Sequence, residues 1–203
     1  GSSSAYGNQE AKQKHELLRE DPLSPYSASK LSGELYCRTF ARVFGMNVVV
    51  TRFFNVFGPR QPADSPYSGV IAAFCRGLIL GKPVRIEGDG GQGRDFTYVE
   101  DLVTGVVQCL DADSTGCETV NLAYGDSRTV LDIYELLCKF TKQQLPDLTI
   151  PDPQRMPARI GDVRHSLADV SRAKERFGFA PTVGFAEGLA RTFAWYRTQL
   201  GSE

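Results

Sequence analysis

The feature that most constrains the fold is a short apolar run, N-V-V-V-T-R-F-F (47–54), preceded by an amphipathic segment that ends at Gly45. A continuous β-branched and aromatic run of this length is typical of a strand buried on both faces of a parallel sheet. The segment before it, from Ser24 to Gly45, has apolar residues at helical spacing and a glycine at its end. Helix followed by buried strand is half of a βαβ unit, so the sequence predicts an α/β fold.

Further elements follow from the same patterns. Two more strands are predicted at 84–86 and 96–99, and helices at about 70–78, 100–110, 130–143, 171–177 and 185–200. The polar positions of the first helix, Glu34, Tyr36, Arg38 and Arg42, are expected to face solvent or a dimer partner.

Composition excludes several function classes. The 203 residues carry 23 Lys and Arg against 24 Asp and Glu, a net charge of −1, so there is no basic field for nucleic acid or a membrane surface. No apolar stretch approaches the roughly 18 residues of a membrane span. Five scattered cysteines form no C-x-x-C pair and there are two histidines, so no metal site is expected. A cytoplasmic protein that acts on a small molecule, with reduced thiols, is predicted.

Tyr26 and Lys30 are the first candidates for chemistry. They lie four residues apart at a predicted helix start, so both side chains share one face. An ammonium close to a phenol favours the phenolate and makes the tyrosine usable as an acid and base. Upstream, Ser2 and Ser4 belong to a hydroxyl cluster that can hydrogen-bond a substrate alcohol.

The sequence G-D-G-G-Q-G (88–93) satisfies the pattern G-x-G-x-x-G of dinucleotide sites. That fingerprint must open a helix at its last glycine. Here an aromatic and β-branched run follows from Arg94 onward, so we expect a glycine loop between two strands and not a pyrophosphate site.

Five motifs in order resemble the extended short-chain dehydrogenase/reductase family, specifically its nucleotide-sugar 4-epimerases of the UDP-glucose and UDP-N-acetylglucosamine type. They are S-S-S-A-Y-G (2–7), S-P-Y-S-A-S-K (24–30), R-F-F-N-V-F-G-P-R-Q (52–61), G-D-G-G-Q-G-R-D-F-T-Y-V-E-D-L (88–102) and G-D-V-R-H-S-L-A-D (161–169). The resemblance covers the C-terminal portion of such enzymes and lacks their N-terminal glycine-rich NAD loop. It implies the end of a Rossmann-type parallel sheet with the catalytic Tyr/Lys pair (1–60), and mainly a small mixed α/β UDP-sugar-binding domain (61–203), some of whose segments return to the sheet.

The resemblance also implies roles for individual residues. The catalytic set is Tyr26, Lys30, Ser2 and Ser4, and NAD is bound by Tyr26, Lys30 and Phe53. The residues that match substrate-binding positions are Asn55, Gln61, Gly69, Val70, Phe74, Arg94, Arg159, Asp162 and Ser166. Arginine suits a nucleotide diphosphate because its planar guanidinium matches phosphate oxygens.

The same resemblance limits which of the family's reactions we expect. Family dehydratases and decarboxylases use an extra acidic residue where this chain has Ser4, so 4-epimerisation of a UDP-hexose is favoured. Ser166 stands where a bulky tyrosine restricts the family's pocket to plain hexoses. Together with Gly69, this small residue favours UDP-N-acetylglucosamine and UDP-N-acetylgalactosamine. The alternatives are a 4,6-dehydratase or decarboxylase and a non-catalytic UDP-binding module, and the resemblance implies a homodimer for the full-length protein.

Overall fold

The computed structural model describes residues 1–64, 69–158 and 164–201. After a 3₁₀ turn at Ser3–Tyr6, which we call the serine turn together with its cap Ser2, helices and strands alternate along the chain. In order they are α1 (Pro25–Phe44), β1 (Val48–Phe53), β2 (Asn55–Phe57), α2 (Val70–Ile79), β3 (Arg85–Glu87), β4 (Gly93–Tyr98), α3 (Val99–Asp111), β5 (Cys117–Leu122), β6 (Ser127–Thr129), α4 (Val130–Gln144), β7 (Gln154–Met156), β8 (His165–Ser166), α5 (Ser171–Phe177) and α6 (Phe185–Leu200). The predicted α/β class is confirmed.

The chain divides into two compact units, each made of three separate segments. The first contains Gly1–Val56, Arg94–Ser127 and His165–Thr182; the second contains Phe57–Gly93, Arg128–Arg164 and Val183–Glu203. The predicted division at residue 60 stays a prediction, because these units describe compactness and not function.

The first unit contains the predicted buried strand. β1 pairs in parallel with β5, from Val48 opposite Cys117 to Phe53 opposite Leu122, and Ser2 makes a parallel bridge to Phe53. A second sheet has β4 at its centre in the order β2-β4-β6, and β8 also pairs with β4. The apolar core beside β1 and β5 consists of Leu102, Cys109, Val120, Leu122, Ala173, Phe177 and Phe179.

β1 differs from its prediction in how it is buried. Only Val50 and Arg52 of this strand are fully buried. The opposite face, with Val49 and Thr51, borders an open groove of about 650 Å³ against α3. The sequence pattern predicted apolar cover on both faces, whereas one face holds a buried charge and the other is partly open.

The second unit is built on three helices. α2, α4 and α6 pack against one another, and β3 pairs in parallel with β7 from Arg85 opposite Gln154. Between β3 and β4 the chain forms the glycine loop, and β4 begins at Gly93. The prediction that this G-x-G-x-x-G sequence joins two strands is therefore confirmed. Of the helices in the described ranges, none combines the length and the apolar character needed to cross a bilayer.

Candidate active site

The start of α1 presents a phenol and an ammonium side by side. Ser24 caps the helix in a reciprocal pair with Ser27: the Ser27 amide donates to Ser24 Oγ at 3.1 Å and the Ser24 amide donates to Ser27 Oγ at 2.9 Å. Such a capping box, with proline at the first helical position, fixes the first turn. Tyr26 is 56% exposed, and the Lys30 Nζ lies 5.5 Å from the centre of its ring.

The serine turn supplies two hydroxyls to the same unit. Ser4 Oγ donates to Ser2 Oγ at 2.9 Å, and the Ser4 amide donates to the same oxygen at 3.2 Å. The turn lies against α1. All four predicted catalytic residues are thus on two adjoining elements of the first unit, the serine turn and α1.

Phe53 is the remaining predicted cofactor residue. It ends β1 at the bridge to Ser2, and its half-buried ring packs against the apolar core of the first unit. The residue is therefore next to the serine turn in the backbone.

Asn55, Arg94 and Ser166 lie on β2, β4 and β8, which are neighbouring strands because both β2 and β8 pair with β4. The Asn55 Nδ2 donates to the backbone oxygen of Asp95 at 3.1 Å. These three predicted substrate residues therefore lie on adjoining strands.

Asp95 is a buried carboxylate that the sequence analysis did not single out. It accepts from the backbone amides of Tyr124 and Gly125, each at 3.0 Å, and of Ala168 at 3.3 Å. Burial raises the pKa of Asp95 to about 6, against these three donors, which lower it. These hydrogen bonds fix the backbone next to Arg94. The sequence feature that could have identified Asp95 is a lone acid within an aromatic and β-branched strand.

Four predicted substrate residues belong to the second unit. Gly69 caps α2 and lies close to Gln61, because a Cβ on Gly69 would approach Gln61 Nε2 to 2.9 Å. Val70, the first residue of α2, is half-buried. Phe74 is buried, with its ring edge-on to Tyr134 at 6.1 Å between ring centres. The predicted Arg159 and Asp162 lie outside the described residues.

The expectation that Glu34 faces solvent or a dimer partner is wrong. Its side chain is buried and bound by Arg52 of β1, with Arg52 Nη2 at 2.7 Å from Glu34 Oε2. The sequence held a signal for this pair, because an arginine in a strand predicted to be buried requires a nearby acid. Among the described residues, no cluster of three or more His, Cys, Asp and Glu side chains is arranged to hold a metal ion.

Comparison with known proteins identifies the family. Residues 1–123 match the NAD dependent epimerase/dehydratase family. The chain is 31% identical over 196 residues to UDP-glucose 4-epimerase of Mycolicibacterium smegmatis, which covers 97% of this chain and 60% of that protein. It is also 31% identical over 172 residues to UDP-N-acetyl-alpha-D-glucosaminuronate decarboxylase of Bacillus cytotoxicus, which covers 85% of this chain and 53% of that protein.

Among solved structures, UDP-N-acetylglucosamine 4-epimerase of Methanobrevibacter ruminantium, in complex with UDP-N-acetylmuramic acid, superimposes with a TM-score of 0.88 and 35% identity. The match covers 98% of this chain and 62% of that one. The chain thus spans about 60% of the length of the first relatives it matches. By its motifs, its fold and the family match over more than half its length, the chain belongs to the NAD dependent epimerase/dehydratase family.

Proposed function

We propose that this chain provides the acid–base site and the UDP-sugar contacts of an NAD-dependent 4-epimerase, which interconverts UDP-N-acetylglucosamine and UDP-N-acetylgalactosamine. The observation that carries the proposal is the exposed Tyr26–Lys30 pair on α1, a helix that contacts the serine turn with its hydrogen-bonded hydroxyls of Ser2 and Ser4. General acid–base catalysis needs a proton acceptor that the substrate can reach, and Tyr26 is more than half exposed.

Each residue has a distinct part in the reaction. The Tyr26 phenolate takes the proton of the sugar C4 hydroxyl and later returns it. The Lys30 ammonium stabilises the phenolate, and Ser2 and Ser4 orient the C4 oxygen by hydrogen bonds. NAD, whose nicotinamide ribose Tyr26 and Lys30 would hold, would supply the acceptor for the C4 hydride and the donor for its return to the opposite face of the sugar.

The described residues fit one end of NAD. Tyr26 and Lys30 present a hydroxyl and an ammonium at an exposed helix start, where a nicotinamide ribose can be held. The pyrophosphate end is different, because a dinucleotide loop must lead into a helix and the glycine loop 88–93 leads into β4. The cofactor therefore needs groups beyond those described here, in keeping with the greater length of the relatives.

The substrate assignment rests on charge and size. Arg94 offers a cation and Asn55 an amide on adjacent strands, which suit a diphosphate. Residues Gln61, Gly69, Val70, Phe74, Arg159 and Asp162 are also proposed to contact the nucleotide or sugar, as the resemblance implies. The small side chain of Ser166 leaves room for an N-acetyl group, and one structural relative is a UDP-N-acetylglucosamine 4-epimerase.

A decarboxylase is the second candidate, because one relative carries that name. Ser4 argues against it, since a hydroxyl cannot provide the additional carboxylate that the resemblance leads us to expect in such enzymes. Formation of a pentose product from a UDP-uronic acid would favour the decarboxylase.

A homodimer is also proposed. The side of α1 that faces away from its buried residues is apolar and exposed, with Tyr36 70%, Val43 64% and Phe44 66% exposed. A contiguous apolar helix face of this kind favours burial against a second copy.

The decisive experiment compares two tyrosines of α1. The purified chain is incubated with NAD and UDP-N-acetylglucosamine, and UDP-N-acetylgalactosamine is measured by chromatography. Tyr26→Phe should lower kcat by about 10²- to 10⁴-fold, the contribution of a general acid–base group. Tyr36→Phe, on the same helix, should leave kcat unchanged. Equal effects of the two variants would contradict the assignment.

Absence of turnover by the unmodified chain is resolved by calorimetric titration with UDP. Heat of binding without turnover would favour the UDP-binding module, whereas no heat at millimolar UDP would reject both readings of the site.

The sugar preference is tested by Ser166→Tyr. The larger ring should abolish turnover of UDP-N-acetylglucosamine and spare that of UDP-glucose, because only the N-acetyl group needs the space. Ser171→Tyr at the exposed start of α5 is the matched control, and should change neither. Equal loss of both activities in Ser166→Tyr would show that the residue does not select by size.

A further inference from the structure

The proposed reaction does not use Arg52, although its guanidinium is completely buried. Its Nε donates to both Glu34 oxygens at 3.1 Å, and its Nη2 donates to Glu34 Oε2 at 2.7 Å and to Glu20 Oε1 at 2.9 Å. Nη1 is buried and has no hydrogen-bond partner among the described residues. A buried ion pair with an unsatisfied donor is a poor source of stability, because apolar residues of similar volume are often as stable or more so.

The position of Arg52 between two elements says more about its role than its contribution to stability does. Glu34 is on α1, one turn after Lys30 and two turns after Tyr26, so all three share one side of the helix. The guanidinium also lies 4.6 Å from the ring centre of Tyr6, the last residue of the serine turn. One buried cation thus touches both elements that carry the proposed catalytic groups.

Residues next to Arg52 and next to its partner Glu20 also bind the serine turn. Phe53, the next residue of β1, bridges to Ser2. Glu20, the second acid bound by Arg52, precedes Asp21, whose amide donates to the oxygen of Ala5 in the serine turn at 2.9 Å. Tyr6 is fixed at its other end by donation to Asn121 Oδ1 at 2.6 Å.

We propose that Arg52 is a positioning residue, which through Glu34 sets the rotation of α1 and through Tyr6 sets the serine turn. It thereby determines the distance from the Tyr26 phenol to the hydroxyls of Ser2 and Ser4. The proposal rests on the proposed function, in which these groups act on one substrate oxygen. A planar guanidinium fixes direction as well as distance, and a misplacement of about 1 Å can cost about 100-fold in rate.

The structure contains a second pair of the same geometry that is more exposed, with the Arg176 side chain 40% exposed. Arg176 of α5 binds Glu118 of β5 with the same two nitrogens, Nε at 3.2 Å and Nη2 at 3.0 Å. This pair also joins a helix to a strand of the first unit, but neither residue contacts the serine turn or α1 in the contacts described here. Arg176→Lys therefore reports the loss of a two-pronged ion pair away from the site.

The test is amide hydrogen exchange of the 203-residue chain, which does not require turnover. Arg52→Lys keeps the charge and loses the fork, and should speed exchange about tenfold or more in residues 2–7 and 28–34 while α5 and α6 exchange as before. Arg176→Lys should leave both site segments unchanged. Uniformly faster exchange along the chain in Arg52→Lys, or the same profile in both variants, would overturn the proposal.

Two further arms complete the test. The double variant Arg52→Met/Glu34→Leu replaces the pair by apolar residues. It should keep the melting temperature while amide exchange at 2–7 and 28–34 still rises. Unchanged exchange there would overturn the proposal even if Arg52→Lys fails to fold.

Where the unmodified chain turns over substrate, Arg52→Lys should lower kcat about 10- to 100-fold with KM within about twofold. Lack of turnover by the unmodified chain would count against the proposed function and leave the exchange result to decide the role of Arg52.

Discussion

At the scale of single residues, Asp95 shows how one buried carboxylate binds two other backbone segments. Its neighbours Phe96 and Thr97 are also buried, and its oxygens receive three amide hydrogen bonds. Burial nevertheless favours the protonated form, so the pKa of Asp95 rises from 3.8 to about 6. Because the folded state holds the proton more tightly than the unfolded chain, this residue's contribution to stability is full below about pH 4 and is lost as pH rises through about 6.

Asp95→Asn should remove this pH dependence. The unfolding free energy of the unmodified chain, measured with urea between pH 4.5 and 7, should lose about 2 kcal/mol that the variant does not lose. The variant should be less stable at pH 4.5, because its amide nitrogen cannot accept one of the three backbone hydrogen bonds. Asp89→Asn is the control, since Asp89 is exposed and its pKa is lowered, chiefly by Arg164. Parallel curves for the unmodified chain and Asp95→Asn would contradict the argument.

At the scale of elements, the sequence predicted the helices well and the short strands poorly. α1, α4 and α6 have apolar residues at helical spacing, and α1 and α4 also have capping boxes and α1 a terminal glycine, so their ends are local properties. β7 has three exposed residues and β8 has two residues in all, so neither shows an alternation that a sequence pattern could reveal. Such strands form because a distant strand offers hydrogen bonds.

In the candidate site, too, some residues were predictable from local sequence and others were not. Tyr26 and Lys30 are a local pattern, and the structure places them together as the spacing requires. The buried pair of Glu34 and Arg52 is 18 residues apart in sequence, and periodicity alone assigned the acid to the exposed side of α1. The charge of Arg52 in a predicted core strand indicates a buried acidic partner, and an analysis of apolar periodicity ignores that charge.

The outward face of α1 gives a prediction at this scale. Residues Tyr36, Phe40, Val43 and Phe44 follow i, i+4, i+7 and i+8 spacing, opposite Ser27, Glu34 and Ala41, which are buried. The double variant Phe40→Glu/Val43→Glu should be monomeric in sedimentation experiments at concentrations where the unmodified chain is a dimer, because it places charge in an apolar interface. Lys174→Glu, at an exposed position on α5, also introduces an acid but away from α1, and should leave the dimer intact. An unmodified chain that stays monomeric at about 100 μM would rule out a stable dimer through this face.

At the scale of the whole molecule, the chain leaves one unit and enters the other five times, after residues 56, 93, 127, 164 and 182. Sequence motifs predicted the residues of both units but not this alternation, because it depends on pairings such as β1 with β5, whose first partners Val48 and Cys117 are far apart in the chain. Neither unit is a continuous stretch that could be expressed by itself.

The alternation has a consequence for the covalent chain. A single cut in the glycine loop 88–92 would leave β1 on one fragment and β5 on the other, and likewise separate β3 from β7. Each unit would then hold the two fragments together by its own sheet, so the cut protein should keep its native elution volume while a denaturing gel shows two pieces. The same arrangement makes the protein a candidate for fragment complementation, in which two separately made halves restore one fold.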